Sequence, residues 1–297
     1  MDSSFFEDLA FNWSLYRNMF VQGLLIALTL ATIGVPMVAR NQIFKGAAIS
    51  SASTLGIALA LVVAQYSSVH HHTPDDIHAG EWLHSDGFKT AMAVAAAVIA
   101  SLVVVGRGKT QHAYEARIGW IFLFSTVTAN LFVANSPYSM SEIHRVHSSS
   151  ILGAIQSENI LLTIVSLLTL VTFIKTWKTQ MLVATDPEMA SAVGIKTSRW
   201  QWTYAIWLAI CIGLSIRFSG VIFTFGMLVL PVFLGRTVCS SMQRVLFISP
   251  VIAVACTLLV FMTELIPGWS TGLPCEQLTI FSIAALLIPA TLIKRTR

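Results

Sequence analysis

Nine apolar runs divide this chain, near residues 18 to 39, 46 to 66, 88 to 105, 118 to 134, 159 to 174, 201 to 217, 219 to 235, 245 to 265 and 277 to 293. Each is long enough, or nearly so, to cross about 30 Å of hydrocarbon as a helix, which satisfies every backbone N–H and C=O within its own segment. The expected fold is therefore all-α: a polytopic transmembrane helical bundle of about eight to nine spans, read as a single domain over residues 1–297. The sixth and seventh runs are short, and only Arg217 to Ser219 part them. A broken helix or a re-entrant pair there would lower the count to eight.

A soluble fold could not hide this much apolar surface, with 55% of residues hydrophobic, 11% charged and a mean hydropathy of +0.74. That excludes a soluble enzyme or a secreted domain. The net charge of +4 would prompt a nucleic-acid reading in a soluble protein. In a membrane protein the placement of cations matters more, and no nucleic-acid partner is expected. Cys211, Cys239, Cys256 and Cys275 form no CxxC pair and lie mostly in apolar runs, which suits packing better than a disulfide framework. The first residues, MDSSFFEDLAFNWSLYR, are acidic and lack a basic n-region, so no cleaved targeting segment is expected.

Lysine and arginine occupy alternate loops. Arg40 and Lys45 follow the first run, Arg107, Lys109 and Arg117 the third, Lys175, Lys178, Lys196 and Arg199 the fifth, Arg236 and Arg244 the seventh, and Lys294, Arg295 and Arg297 the ninth. The positive-inside rule makes these loops cytoplasmic, with the N-terminus outside and the C-terminus inside.

The opposite loops carry different chemistry. Residues 67–87, SSVHHHTPDDIHAGEWLHSDG, hold His70, His71, His72, Asp75, Asp76, His78, Glu81, His84 and Asp86, and a second outer loop holds Glu142, His144 and His147. Of the eight histidines, only His112 falls on the cytoplasmic side. Neutral imidazole is a common ligand for zinc and other divalent transition metals, and carboxylates complete such a shell or concentrate cations. His144 and His147, three apart, would share one face of a helix beside Glu142. A merely solvated polar surface would have the same composition.

Between the fifth and sixth runs lies ATDPEMASAVGIKTSRW. Asp186 suits an N-cap, Pro187 the first helical position, Glu188 an acid in the first turn and Gly194 the terminator, giving a helix over about 186–194. So short a helix is marginal alone, which points to docking, although a simple capped connector would look the same. The sequence GRGKT at 106–110 imitates the end of a nucleotide-binding P-loop, but the required earlier glycine falls on Val103 and the stretch follows a membrane span. Any ATP hydrolysis must come from another chain. Ionisable residues inside the runs are scarce, Glu264 being the main exception, which weighs against a proton-driven secondary carrier. Ser50, Ser51, Thr54 and Asn130 are candidates for lining a path, as are Ser53 and the helix-bending Gly226 and Pro231, although helix packing uses the same residue types.

In this order and spacing, SSSILGAIQSENILL, ATDPEMASAVGI and SGVIFTFGMLVLPVFLGR resemble the membrane permease subunits of the ATP-binding-cassette importers for zinc, manganese and iron. The similarity runs over nearly the whole chain and is strongest from Ser149 to Arg236. It implies a homodimeric pore in the cytoplasmic (inner) membrane, two cytoplasmic ATPase subunits, an extracytoplasmic metal-binding protein, and a coupling role for Asp186, Pro187, Glu188 and Gly194. It also implies no permanently bound cofactor: Zn2+, with Mn2+ or Fe2+ behind it, is the transported substrate. There is one departure, in that the second span of such permeases carries an Asp and a His four residues later, as in GDALSHA. Here the stretch is GAAISSA, with Ala47 and Ser51 at those places. The rival readings are a membrane metal sensor or assembly protein without transport, and a secondary carrier.

Overall fold

The computed structural model describes residues 3–70, 85–105, 111–134, 156–239, 241–265 and 274–295, and among them there is no strand. The helices are α1 (Ser3–Ala39), α2 (Ile43–His70), α3 (Asp86–Val105), α4 (Gln111–Ala134), α5 (Gln156–Thr185), α6 (Pro187–Ala192), α7 (Thr197–Val238), α8 (Met242–Leu265) and α9 (Cys275–Arg295). All but α6 contain a stretch long and apolar enough to cross a membrane, eight in total among the described residues. The helices outrun the apolar runs that predict them. In particular, α5 continues past residue 174 to Thr185, and α2 and α9 take in Lys45 and Glu276, both buried.

The chain forms two compact units interleaved in sequence. The first comprises Met1–Asn41, Ser150–Thr185 and Ile222–Arg297. Here α1 packs on α5 and α8, and α8 on α9. The edge of Phe20 meets Phe261 at 5.4 Å between ring centroids, while Met19, Phe20 and Phe261 cluster with Cys275. Glycine allows close approach: a Cβ on Gly34 would lie 2.1 Å from the Leu228 carbonyl oxygen. Small residues at such points take the place of the hydrophobic effect, which cannot bring helices together in lipid. Gly34 meets Leu228 and Val38 accepts from Arg236 Nη1 at 3.5 Å, so the second half of α7 runs parallel to α1. Helix α8 runs the other way, with Phe261 at Phe20 and Gly23 and Ser249 at Gly235. Arg40, Arg236 and Arg244 consequently gather at one end of this unit.

The second unit comprises Gln42–Ser149 and Asp186–Val221. Ala48 and Ala52 of α2 pack with Ala100 and Val104 of α3 and with Ile118 and Ile121 of α4. Farther along, Gly56 meets Met92 and Ala96, and Ala58 meets Ala129 and Val133. Helix α3 is thus antiparallel to α2, and α4 is parallel to it. The first half of α7 is antiparallel to α3: Arg217 pairs with Asp86, Gly213 abuts Val94, and Ser101 Oγ donates to the Ala205 carbonyl at 2.8 Å. Lys45, Arg117, Lys196 and Arg199 therefore share one end of this unit as well.

The sixth and seventh runs belong to one 42-residue element, α7, and the break falls at Gly220 rather than at Arg217 to Ser219. Gly220 has φ 76° and ψ 173°, a region essentially closed to residues with a Cβ. The polar residues suggested a loop, but their side chains are accommodated within helix: Arg217 on Asp86, and Ser219 Oγ on the Ser215 carbonyl at 2.9 Å. The chain passes from the second unit to the first immediately after this break.

Candidate functional site

Local chemistry determines α6. Asp186 Oδ1 accepts from the Met189 N–H at 2.9 Å, Pro187 opens the helix where no N–H is required, and Glu188 lies in the first turn. At the other end Gly194 has φ 86°, its N–H donates to Ser191 O at 3.0 Å, and Ile195 N–H reaches back to Ala190 O at 3.0 Å. The left-handed residue reverses the chain and satisfies carbonyls the helix leaves open. Ala190 is buried, whereas Met189 and Val193, one turn apart, are 55% and 65% exposed. The helix thus presents an apolar pair flanked by the exposed carboxylates of Asp186 and Glu188. Sequence reasoning found the caps and missed the pair, because on a two-turn helix nothing in the sequence distinguishes the anchored side from the presented one.

The hydroxyls of α2 divide into two kinds. Ser51 Oγ donates to its own helix at Ala48 O, 3.0 Å, and Thr54 Oγ1 to Ser51 O, 2.6 Å. Ser50 and Ser53, 1% and 0% exposed, have hydroxyls with no hydrogen-bond partner among the described residues. A buried helical serine ordinarily satisfies itself on a preceding carbonyl, so these two oxygens are available as neutral donors and acceptors. Asn130 is exposed on α4, among the exposed Leu123, Val127 and Leu131, and is not gathered with the buried serines.

An ion pair closes the opposite end of the second unit. Asp86 pairs with Arg217, and Lys89 Nζ lies 3.8 Å from Asp86 Oδ1. These two cations lie away from the cation-rich end, and both have the same carboxylate for company. Residues 86 and 217 are too far apart in the chain for sequence to pair them.

His71, His72, Asp75, Asp76, His78, Glu81, His84, Glu142, His144 and His147 lie outside the described residues, and of His70 only the backbone, at the end of α2, is described. Among the described residues no group of three or more His, Cys, Asp or Glu could hold a metal ion.

Helices of this length, apolarity and packing define a multi-pass α-helical membrane protein. The chain belongs to the ABC 3 transport family, whose model matches residues 12–291. This bears out the resemblance to the permeases of metal ATP-binding-cassette transporters. It is 25% identical over 182 residues to the manganese transport system membrane protein MntB of Synechocystis sp. (strain ATCC 27184 / PCC 6803 / Kazusa), a match spanning 61% of this chain and 59% of that protein. The fold is similar to a chain of PsaBC from Streptococcus pneumoniae in complex with Fab, with a TM-score of 0.75 at 13% identity, covering 96% of this chain and 95% of the other. It is also similar to a chain described as a metal-chelate type ABC transporter in an inward-facing conformation, with a TM-score of 0.73 at 15% identity, covering 94% and 88%.

Proposed function

We propose that this chain is the membrane permease subunit of an ATP-driven importer for a divalent transition-metal ion. The observation that carries the reading is the family match over residues 12–291, joined to an exposed, capped helix set between two membrane helices. In this reading the cation-rich end of each unit faces the cytoplasm, the N-terminus is outside and the C-terminus inside. Two ATPase subunits dock on α6, with Met189 and Val193 entering a groove and Asp186 and Glu188 at its edge. Their closure on ATP moves α6 and changes which side of the pore is open. Hydrolysis is the partner's work. A second copy of the chain completes the pore, and a metal-binding protein delivers the ion from outside.

Along the path the ion meets weak donors. Ser50, with Ser53, supplies neutral oxygens, and Ala47 and Ser51 offer nothing like an Asp–His pair. Tighter capture then falls to the outer loops, His70 to His84 and Glu142 to His147. Their imidazoles favour zinc, because manganese prefers harder oxygen ligands. Manganese is the second reading, on the strength of the relative named as a manganese transport protein.

The test is the zinc, manganese and iron content of cells lacking the chain and any other high-affinity importer, measured by elemental analysis with each metal limiting. A fall in zinc alone supports the first reading and a fall in manganese alone the second. Unchanged contents of all three would refute import and leave a sensor or assembly role.

A further inference from the structure

Within the first unit α1, α5 and α8 wall a cavity of about 190 Å³, lined by Thr32, Leu170, Phe173, Ile174, Trp177, Leu246, Phe247 and Pro250. Ile174 and Phe247, both well exposed, form its rim, while Thr32 and Phe173 are buried at its base. The Thr32 hydroxyl is already used, donating to Leu28 O at 2.7 Å, so the floor is apolar. The volume exceeds the roughly 150 Å³ of an apolar protein cavity that stays dry and takes up a benzene-sized hydrocarbon. Water has nothing to bond on that floor.

The charge beside it is one-sided. Lys178 follows the lining Trp177, with Nζ 6.0 Å from the ring centroid, and Arg244 precedes the lining Leu246 by two residues. Both are exposed, and neither has a carboxylate partner among the described residues. Arg244 also belongs to the cation-rich end of the unit. The Trp177 indole N–H likewise makes no hydrogen bond within the described residues. An apolar slot opening beside exposed cations that have no carboxylate partner among the described residues, and beside an indole donor, matches a molecule that is hydrocarbon at one end and anionic at the other.

We propose that this groove binds one anionic glycerophospholipid from the leaflet at the cation-rich end, an acyl chain in the slot and the phosphate between Lys178 and Arg244. Basic pockets between membrane helices recognise anionic headgroups in this way, and each cation near the surface favours them by about fivefold. The inference needs only the membrane class of the protein and is independent of the transported ion.

The test uses the full chain in phosphatidylcholine bilayers doped, at equal mole fraction, with phosphatidylglycerol or phosphatidylcholine brominated on the acyl chain. Bromine quenches indole fluorescence at contact, and the difference between the wild type and Trp177→Phe isolates Trp177 from the other tryptophans. The expected result is an apparent affinity of brominated phosphatidylglycerol for the Trp177 site about twenty-five-fold above that of brominated phosphatidylcholine. Neutralising either cation, Lys178→Gln or Arg244→Gln, should lower the preference about fivefold. Ile174→Phe, which fills the mouth and keeps both charges, should remove Trp177 quenching by either lipid. Size-exclusion chromatography verifies that each variant folds. Equal quenching by the two lipids would reduce the groove to ordinary annular contact. No quenching of Trp177 in the wild type would mean that a second copy of the chain covers it, and either result overturns the proposal.

Discussion

Asp186 has two separable properties, the oxygen that caps α6 and the negative charge that flanks its exposed apolar pair. Loss of an N-cap costs about 1 kcal/mol, a large fraction of the stability of a helix only six residues long. Asp186→Ala with Glu188→Ala is therefore expected to uncouple ATP hydrolysis from uptake in the reconstituted transporter, and normal uptake per ATP would contradict the docking role. Asp186→Asn distinguishes the two properties, because Asn caps as well as Asp without the charge. If the cap is what matters, uptake is retained; if the charge matters, it falls with the double variant. Met189→Ala and Val193→Ala leave every cap in place and remove only apolar surface. Together they remove the equivalent of about five methylenes, from side chains 55% and 65% exposed before docking, and at roughly 0.8 kcal/mol per buried methylene are expected to weaken association with the ATPase about fiftyfold, as measured by co-purification at graded ATPase concentrations.

At the scale of elements, α7 decides the architecture. Gly220 permits the break with φ 76° and ψ 173°, and a Cβ there costs of order 1–3 kcal/mol unless the break relaxes. Gly220→Ala is expected to lower the thermal midpoint of the detergent-solubilised protein by several degrees, whereas Gly119→Ala, on a helix with open space around the site, leaves it unchanged. Equal midpoints for the two variants would mean that the break carries no strain. How legible each element was follows from how far its determinants are spread. Helix α6 could be read from sequence because Asp186, Pro187 and Gly194 act within a few residues. The long helices were legible because burying backbone in lipid demands continuous apolar runs. The break in α7 was displaced to Arg217 because a charge in an apolar region reads as a loop, and its partner Asp86 comes from a distant helix. The same reasoning treated Ser50, Ser51 and Thr54 alike. Only the structure separates hydroxyls bonded to their own helix from the unbonded Ser50 and Ser53.

For the whole molecule, the length of α7 raises a question of parity. At about 1.5 Å per residue, 42 helical residues would extend roughly 63 Å, twice the hydrocarbon thickness, so α7 either protrudes far into water or crosses twice. One crossing would put Lys196 and Arg199 on the opposite side of the membrane from Arg236, against the positive-inside rule. Two crossings put all three on one side. Each half has its own direction inside its own unit: the first runs against α3 from Lys196 to Arg217, and the second runs with α1 to Arg236. Lys89 and Arg217 lie at the other end of the second unit, paired with Asp86, where their cost is offset locally. In a variant with the four native cysteines replaced by serine, single cysteines therefore test the whole scheme. Gly87→Cys, beside Asp86, is expected to react with a membrane-impermeant maleimide in intact cells. Met189→Cys and Val238→Cys, both exposed, are expected to react only after permeabilisation. Val238→Cys is the discriminating position, because a single crossing of α7 would expose it outside while Met189→Cys stayed protected, and the crossing number would drop to eight with both termini on the same side.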